Sequence, residues 1–201
     1  MRIAIIGSGS VGTALATSLL RAGHEVTFGV RAPDPAKPNE ASIAHASAGA
    51  EVVILAIPFE AVAETVRAAT GFEGKILIDA TNPLGMVDGG LGLTMGFQTS
   101  GAERIAELAP RARVFKSFNQ TGFENMADPA AYASRPVMFV AGDDPDGKAT
   151  ALSLVADVGF EPVDAGGLRA SRLLEPFGML WIELVRKRKF RPFAFSLQYT
   201  A

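Results

Sequence analysis

GSGSVG occupies residues 7–12, directly after the apolar run IAII (3–6) and directly before TALATSLLRAGH (13–24). Leu15, Leu19 and Leu20 recur at helical spacing in the second segment, and the first has strand composition. The hexapeptide therefore sits where a strand turns into a helix, which is the context a G-x-G-x-x-G pattern needs before it means anything. Each glycine then has its own task. Gly7 permits the tight turn, Gly9 lets backbone approach a pyrophosphate, and Gly12 lets the helix pack close to the strand. Ser8, Ser10 and Val11 fill the positions between them, at a helix start that offers free N–H groups and partial positive charge to an anion. The stretch is read as a dinucleotide turn rather than one that binds nothing.

The same rhythm continues outward. VTFGV (26–30), VVILAIP (52–58) and KILIDA (75–80) are short, Val- and Ile-rich runs ending at turn residues. Gly23 supplies a stop for the first helix, residues 39–48 form a weak Ala-rich helix, and FEAVAETVRAA (59–69) puts Val62, Val66 and Ala69 on one face. RVFKSF (113–118) and RPVMFVAG (135–142) read as strands, KATALSLVADVG (148–159) as a helix, and FEPVDAG (160–166) as extended. Ser100 and Glu103 form a capping box that opens SGAERIAELA. A last helix carries Leu173, Phe177, Leu180, Trp181 and Leu184 on one stripe, with Pro176 at its start or at a kink. The expectation is an α/β protein: a Rossmann-like, doubly wound, mostly parallel sheet with helices on both faces, then a C-terminal helix and extended tail. Residues 1–201 make one NAD(P)-binding domain on this reading.

Two segments stand outside a minimal sheet. LGMVDGGLGLTMGFQTSG (84–101) has six glycines in eighteen residues and reads as a long loop, a mobile lid or disorder. The tail FRPFAFSLQYTA (190–201) alternates Phe193, Phe195, Leu197 and Tyr199, a strand pattern expected to pair with another subunit or, less favoured, to fold back as an edge strand.

Composition narrows the function classes. The 201 residues are 48% apolar and 20% charged with a net charge of −2, so no global field draws nucleic acid or an anionic membrane. The absence of cysteine excludes disulfides, thiol nucleophiles and cysteine-ligated metals. No run has the length of a transmembrane helix or a signal-peptide core, so the expected location is cytoplasmic, with no membrane partner.

The end of the second strand decides which dinucleotide. An NAD site carries an acid there for the ribose 2′-hydroxyl, whereas this chain reads Gly29, Val30, Arg31. A guanidinium suits the 2′-phosphate of NADP, with Lys37 as a possible assistant. Turns after the other strands, AIPFE (56–60), DATNPL (79–84) and SFNQTG (117–122), bring Pro58, Asn82, Asn119 and Gln120 to the same crevice as groups suited to ribose or nicotinamide. None is an obvious proton donor. Tyr132 lacks a lysine four residues on, His24 and His45 lie away from the crevice, Lys75 and Lys116 lie in strands, and Asp79 reads as a turn-stabilising acid. No catalytic side chain and no metal ligand is assigned. A hydride passing directly between stacked rings needs positioning more than acid–base residues.

GSGSVGTALATSLLRAGHEVTFGVR, KILIDATNPL, RVFKSFNQTGFENMADP and DAGGLRASRLLEPFGMLWIEL together resemble the NADP oxidoreductases dependent on coenzyme F420, relatives of the reductase domain of the STEAP metalloreductases. The resemblance covers most of the chain, and the last two blocks are more specific than the glycine turn. It implies hydride transfer between NADPH and a deazaflavin, F420, or in relatives a flavin such as FMN or FAD. It also implies a homodimer. Ser8 to Val11 would then hold the pyrophosphate, Arg31 the 2′-phosphate, and Ile57, Pro58, Asn119 and Gln120 would border the nicotinamide. The family's Ser or Thr before the arginine is Val30 here, and SFNQTG leans toward bacterial and STEAP-like relatives. The basic run RKRKFR (186–191) reads as a solvated helix end, with an acidic cofactor tail as the alternative. Two other functions stay open: a small imine or keto acid reductase, for which the chain lacks a helical substrate domain, and an NADPH-binding sensor or partner subunit without turnover.

Overall fold

Along β1 (Arg2–Ile6), Ile3 and Ile5 face one side and Ala4 and Ile6 the other, and all four are buried. A strand buried on both faces must be covered twice, and the helices divide accordingly. The structure, a computed structural model, describes residues 1–69, 71–188 and 193–200. After β1 come α1 (Ser10–Arg21), β2 (Glu25–Val30), β3 (Glu40–Ser42), α2 (Ile43–Gly49) and β4 (Val52–Leu55). A 3-10 turn (Phe59–Ala61) leads into α3 (Val62–Ala68), then β5 (Ile76–Asp79), β6 (Leu84–Val87), β7 (Gly90–Leu93) and α4 (Gly101–Leu108). The chain continues through β8 (Arg113–Lys116), α5 (Phe123–Ala127), β9 (Val137–Gly142), α6 (Pro145–Val158), β10 (Glu161–Asp164) and α7 (Ser171–Arg188).

Eight strands form one sheet in the order β10-β9-β8-β5-β4-β1-β2-β3, parallel throughout except where β8 meets β9. One core layer joins Ile3, Ile5, Ile54 and Ile78 to Leu15 and Leu19 of α1 and Leu154 of α6. The other joins Ile6, Val53, Leu55 and Leu77 to Val62 and Val66 of α3 and Ile105 of α4. The strand order reverses at β1: α1 leads outward to β2, and the return through α2 places β4 on the other side of β1. Ligands of such sheets bind beyond the strand ends at that reversal.

Several local expectations change. The Gly-rich stretch is not a structureless loop, because β6 and β7 pair antiparallel from Leu84↔Leu93 to Val87↔Gly90. Asp88 and Gly89 hold φ of 50° and 80°, the two positive values that a two-residue hairpin turn demands. Residues 39–48 contain the short strand β3 as well as a helix. Pro176 lies inside α7 rather than at its start. The α7 stripe splits: Trp181 is buried, whereas Leu173 and Leu180 are 66% and 50% exposed.

The described part of the tail, residues 193–200, lies against its own chain and pairs as no strand. The Phe193 carbonyl accepts from Trp181 Nε1 and Asn125 Nδ2, and the Phe195 carbonyl accepts from the Val137 N–H. Phe193 stacks on Trp181 at 5.4 Å and Phe195 meets Phe177 at 4.9 Å within the subunit, whereas Tyr199 stays largely exposed. The basic run at 186–191 falls partly outside the described residues, and its Arg186 and Lys187 pair with Glu183. Among the described residues no helix is long and apolar enough to cross a membrane.

Candidate functional site

The turn after β1 has the geometry its glycines predict. Gly7 adopts φ 106°, and a Cβ there would come within 2.5 Å of the Ala56 carbonyl oxygen on the neighbouring strand's end. A Cβ on Gly12 would fall 2.1 Å from the Gly7 oxygen, so only glycine lets α1 start this close to β1. Gly9 is different: a Cβ there would meet nothing within 4 Å. It faces open space at the mouth of α1, where it is the N-cap and offers no side chain to the helix. Thr13 makes the first bond back to the Gly9 carbonyl, leaving the N–H groups of Ser10, Val11 and Gly12 without an acceptor among the described residues. No acidic residue stands in the first turn. Three unpaired N–H groups and a helix dipole suit a phosphate, and among the described residues nothing competes for them.

Beside that mouth opens a cleft of ≈ 550 Å³. Gly7 and Ser8 form its floor, Ile57 and Pro58 one flank, and Gly29, Val30 and Arg31 the end of β2. Arg31 is exposed and has no ion-pair partner among the described residues, so its guanidinium is available to an anion. Lys37 does not line the cleft. From the loop before β3 its ammonium bonds Glu40, the first residue of that strand, at 2.9 Å, and that hydrogen bond raises the lysine's pKa and lowers the glutamate's.

The three amides expected at the crevice bond to protein. Asn82 and Asn119 exchange reciprocal bonds: Asn82 Nδ2 donates to the Asn119 carbonyl at 2.8 Å, and Asn119 Nδ2 to Asn82 Oδ1 at 2.9 Å. Asn119 Nδ2 also reaches the Leu174 carbonyl, which ties the pair to α7. Gly178 of α7 lies so close that a Cβ there would come 2.7 Å from the Asn119 oxygen. Gln120 is 2% exposed; its amide accepts from the Phe139 N–H and donates to the Phe139 carbonyl, extending the β8–β9 ladder with a side chain. Both Gln120 polar atoms are spent on protein, and neither Asn119 nor Gln120 lines the cleft. Phe118, just before them, is buried at φ 58°, a left-handed conformation that costs a bulky residue about 1–3 kcal/mol.

Behind this network lies a buried charge cluster that sequence reading divided among unrelated residues. Lys116 donates to Asp79 Oδ2 at 2.7 Å, to Glu175 Oε1 at 2.9 Å and to the Thr81 carbonyl at 2.6 Å. All three charged side chains are fully buried. Asp79 takes the N–H and hydroxyl of Thr81 with its other oxygen, as a turn-stabilising acid would. Glu175 accepts from the Gly101 and Ala102 N–H groups at 2.9 and 3.2 Å, so it caps α4 from α7. Glu175 was not foreseen: its only sequence signal is a glutamate within the apolar stretch LLEPF. His24 bonds Asp157, His45 lies by the amino ends of the strands, and the Tyr132 hydroxyl donates to Asn125.

The model of the family described as NADP oxidoreductase coenzyme F420-dependent matches residues 2–83. A crystal structure of a candidate F420-dependent NADP-reductase from Arthrobacter sp. FB24 is 31% identical and superposes with a TM-score of 0.91, covering 99% of this chain and 100% of that one. The chain belongs to that family. It is also 29% identical to the metalloreductase STEAP3 of Rattus norvegicus over 180 residues, 87% of this chain and 36% of that protein. The chain spans about a third of the length of the curated relatives it matches. A reductive aminase from Aspergillus terreus shares the fold at 22% identity and a TM-score of 0.69, with 94% of this chain aligned to 62% of that enzyme.

Proposed function

We propose that this family member binds NADP(H) in the cleft beside α1 and passes hydride between the nicotinamide and a deazaflavin or flavin. One observation carries the reading: the uncapped mouth of α1, with Gly9 facing open space, follows directly on Gly7 and Ser8, which line the same cleft as the unpaired Arg31. Ser10, Val11 and Gly12 would donate their N–H groups to the pyrophosphate, and Ser8 would flank it. Arg31 would take the 2′-phosphate through its planar fork. Ile57 and Pro58 would support the nicotinamide, apolar groups suited to holding a ring and excluding water. Asn82, Asn119 and Gln120 act at one remove, fixing the loops after β5 and β8 against α7 and β9.

Bound NADPH supplies the hydride. The protein's part is positioning, because direct transfer between facing rings moves no proton to or from a side chain. Asp79, Lys116 and Glu175 fit that division of labour, being locked to one another rather than turned to a substrate. Family membership favours F420 as acceptor, with FMN and FAD as the flavin alternatives. A second copy is proposed against α7, whose Leu173 and Leu180 lie seven residues apart on one exposed face.

The test is loss of nicotinamide absorbance on mixing protein and NADPH with F420, FMN or FAD in turn. Turnover with at least one is expected, with F420 the fastest. Oxidation only by an imine or ketone would replace the reading, and tight NADPH binding with no oxidation by any acceptor would make the protein a sensor or partner subunit. Light scattering is expected to give twice the chain mass.

A further inference from the structure

The cleft beside α1 has an acidic wall that phosphate binding does not explain. The cleft that Arg31 lines is also lined by the face of the 3-10 turn and α3 that carries Ala61, Glu64, Thr65 and Ala68, positions that share one side of a helix. Thr65 is buried and the alanines are short, so Glu64 is the long polar side chain of that face. It is exposed, with no hydrogen-bond or ion-pair partner among the described residues. Glu60 also borders the cleft, but it lines the adjoining apolar groove with Met95 and Arg104 and stands on the ridge between the two. Glu64 borders the cleft and not that groove. A carboxylate facing a ligand rich in phosphate lowers affinity by repulsion unless it meets a donor on that ligand.

We propose that Glu64 reads the purine of the dinucleotide, accepting a hydrogen bond from the exocyclic amine of adenine. The inference rests on the cleft being the NADP site. An ionised carboxylate is acceptor-only, so it rewards an amine at that edge of the base and rejects a carbonyl there. A first-turn glutamate also favours the α3 dipole, but that effect acts on folding and leaves base preference untouched.

The experiment is equilibrium titration, by calorimetry, of the full chain and of Glu64→Gln with NADPH and with its reduced hypoxanthine counterpart, which carries a carbonyl in place of the amine. The unmodified protein is expected to prefer NADPH by about tenfold or more, the size of one hydrogen bond to a charged group. Glu64→Gln, whose amide presents either an acceptor or a donor, is expected to bring the two affinities within about twofold of each other. Loss of repulsion alone would tighten both ligands equally and keep the ratio. An unmodified protein without preference, a Glu64→Gln that keeps it, or a preference lost in Glu60→Gln and not in Glu64→Gln overturns the assignment. Failure of both dinucleotides to bind overturns the parent reading and this one with it, an outcome distinct from binding without preference.

Discussion

The helices α1 and α4 begin at the same end of the same sheet, and their N-termini are finished in opposite ways. At α1 the N-cap is Gly9, with no side-chain bond and no acid in the first turn. At α4 the N-cap is Ser100, whose hydroxyl accepts from the Glu103 N–H, and the buried Glu175 carboxylate takes the N–H groups of Gly101 and Ala102. Glycine serves both mouths for contrary reasons. A Cβ on Gly9 would meet open space, while one on Gly101 would strike the Phe59 ring at 2.7 Å and Glu175 at 3.1 Å. An N-terminus needs an anion or acceptor. At α4 the chain supplies it from α7; at α1 the described residues supply none. The difference teaches that the two mouths should fail differently, one through stability and the other through binding.

The largest effect belongs to the closed mouth. Lys116→Met leaves Asp79 and Glu175 buried without their cation, and removing one partner of a buried ion pair costs about 3–5 kcal/mol. Urea unfolding is expected to show that loss, or no folded protein at all. Stability within about 0.5 kcal/mol of the parent would mean the cluster carries little, and the contrast between the two mouths would lose its energetic half.

The open mouth is expected to answer in the other currency. Gly9→Ala meets no neighbour in the protein, so its unfolding free energy should stay within about 0.5 kcal/mol of the parent. Its added methyl stands where a phosphate would approach, and NADPH affinity should fall by at least about tenfold. Arg31→Ala sharpens the point. It is expected to weaken NADPH by about ten- to a hundredfold, as loss of a charge-assisted pair does, while NADH changes little. Equal losses for both dinucleotides would show that Arg31 does not read the 2′-phosphate.

How much of this was legible depends on how local the cause is. The glycine turn and the strand–helix rhythm are local, and the packing roles expected of Gly7 and Gly12 match their Cβ surroundings, while Gly9 faces open space. The β6–β7 hairpin was local too. Its signal, Asp88-Gly89 between apolar residues, was hidden by counting glycines rather than asking what a turn requires. The cap on α4 was not legible, since Glu175 lies 74 residues from Gly101 and nothing in LLEPF says which helix it serves. Gln120 misled for a related reason. Amides of that kind suit a ligand, but β9 runs past the last β8 pair, and there the same amide satisfies the Phe139 N–H and carbonyl.

The smallest effect tests the outer layer of the closed mouth. Glu103 accepts from Arg172 through both oxygens, at 2.8 and 2.7 Å, and from the Ser100 hydroxyl at 2.7 Å. The Arg172 hydrogen bond, with lesser help from Ser100, holds its carboxyl below the ordinary glutamate pKa. A carboxyl whose folded pKa is depressed adds stability that is present above the unfolded value and is lost as pH falls through the folded one. Glu103 should therefore contribute fully at neutral pH and progressively less below about pH 4.3, the usual unfolded value. Glu103→Gln is expected to cost about 1 kcal/mol or less at pH 7, given the partial exposure of the pair. The gap between variant and parent should close on acidification, read from urea midpoints between neutral pH and about pH 3. Because the pair lies at α4 and not at α1, NADPH affinity should stay unchanged at neutral pH. A gap constant with pH would assign the contribution of Glu103 to packing rather than charge.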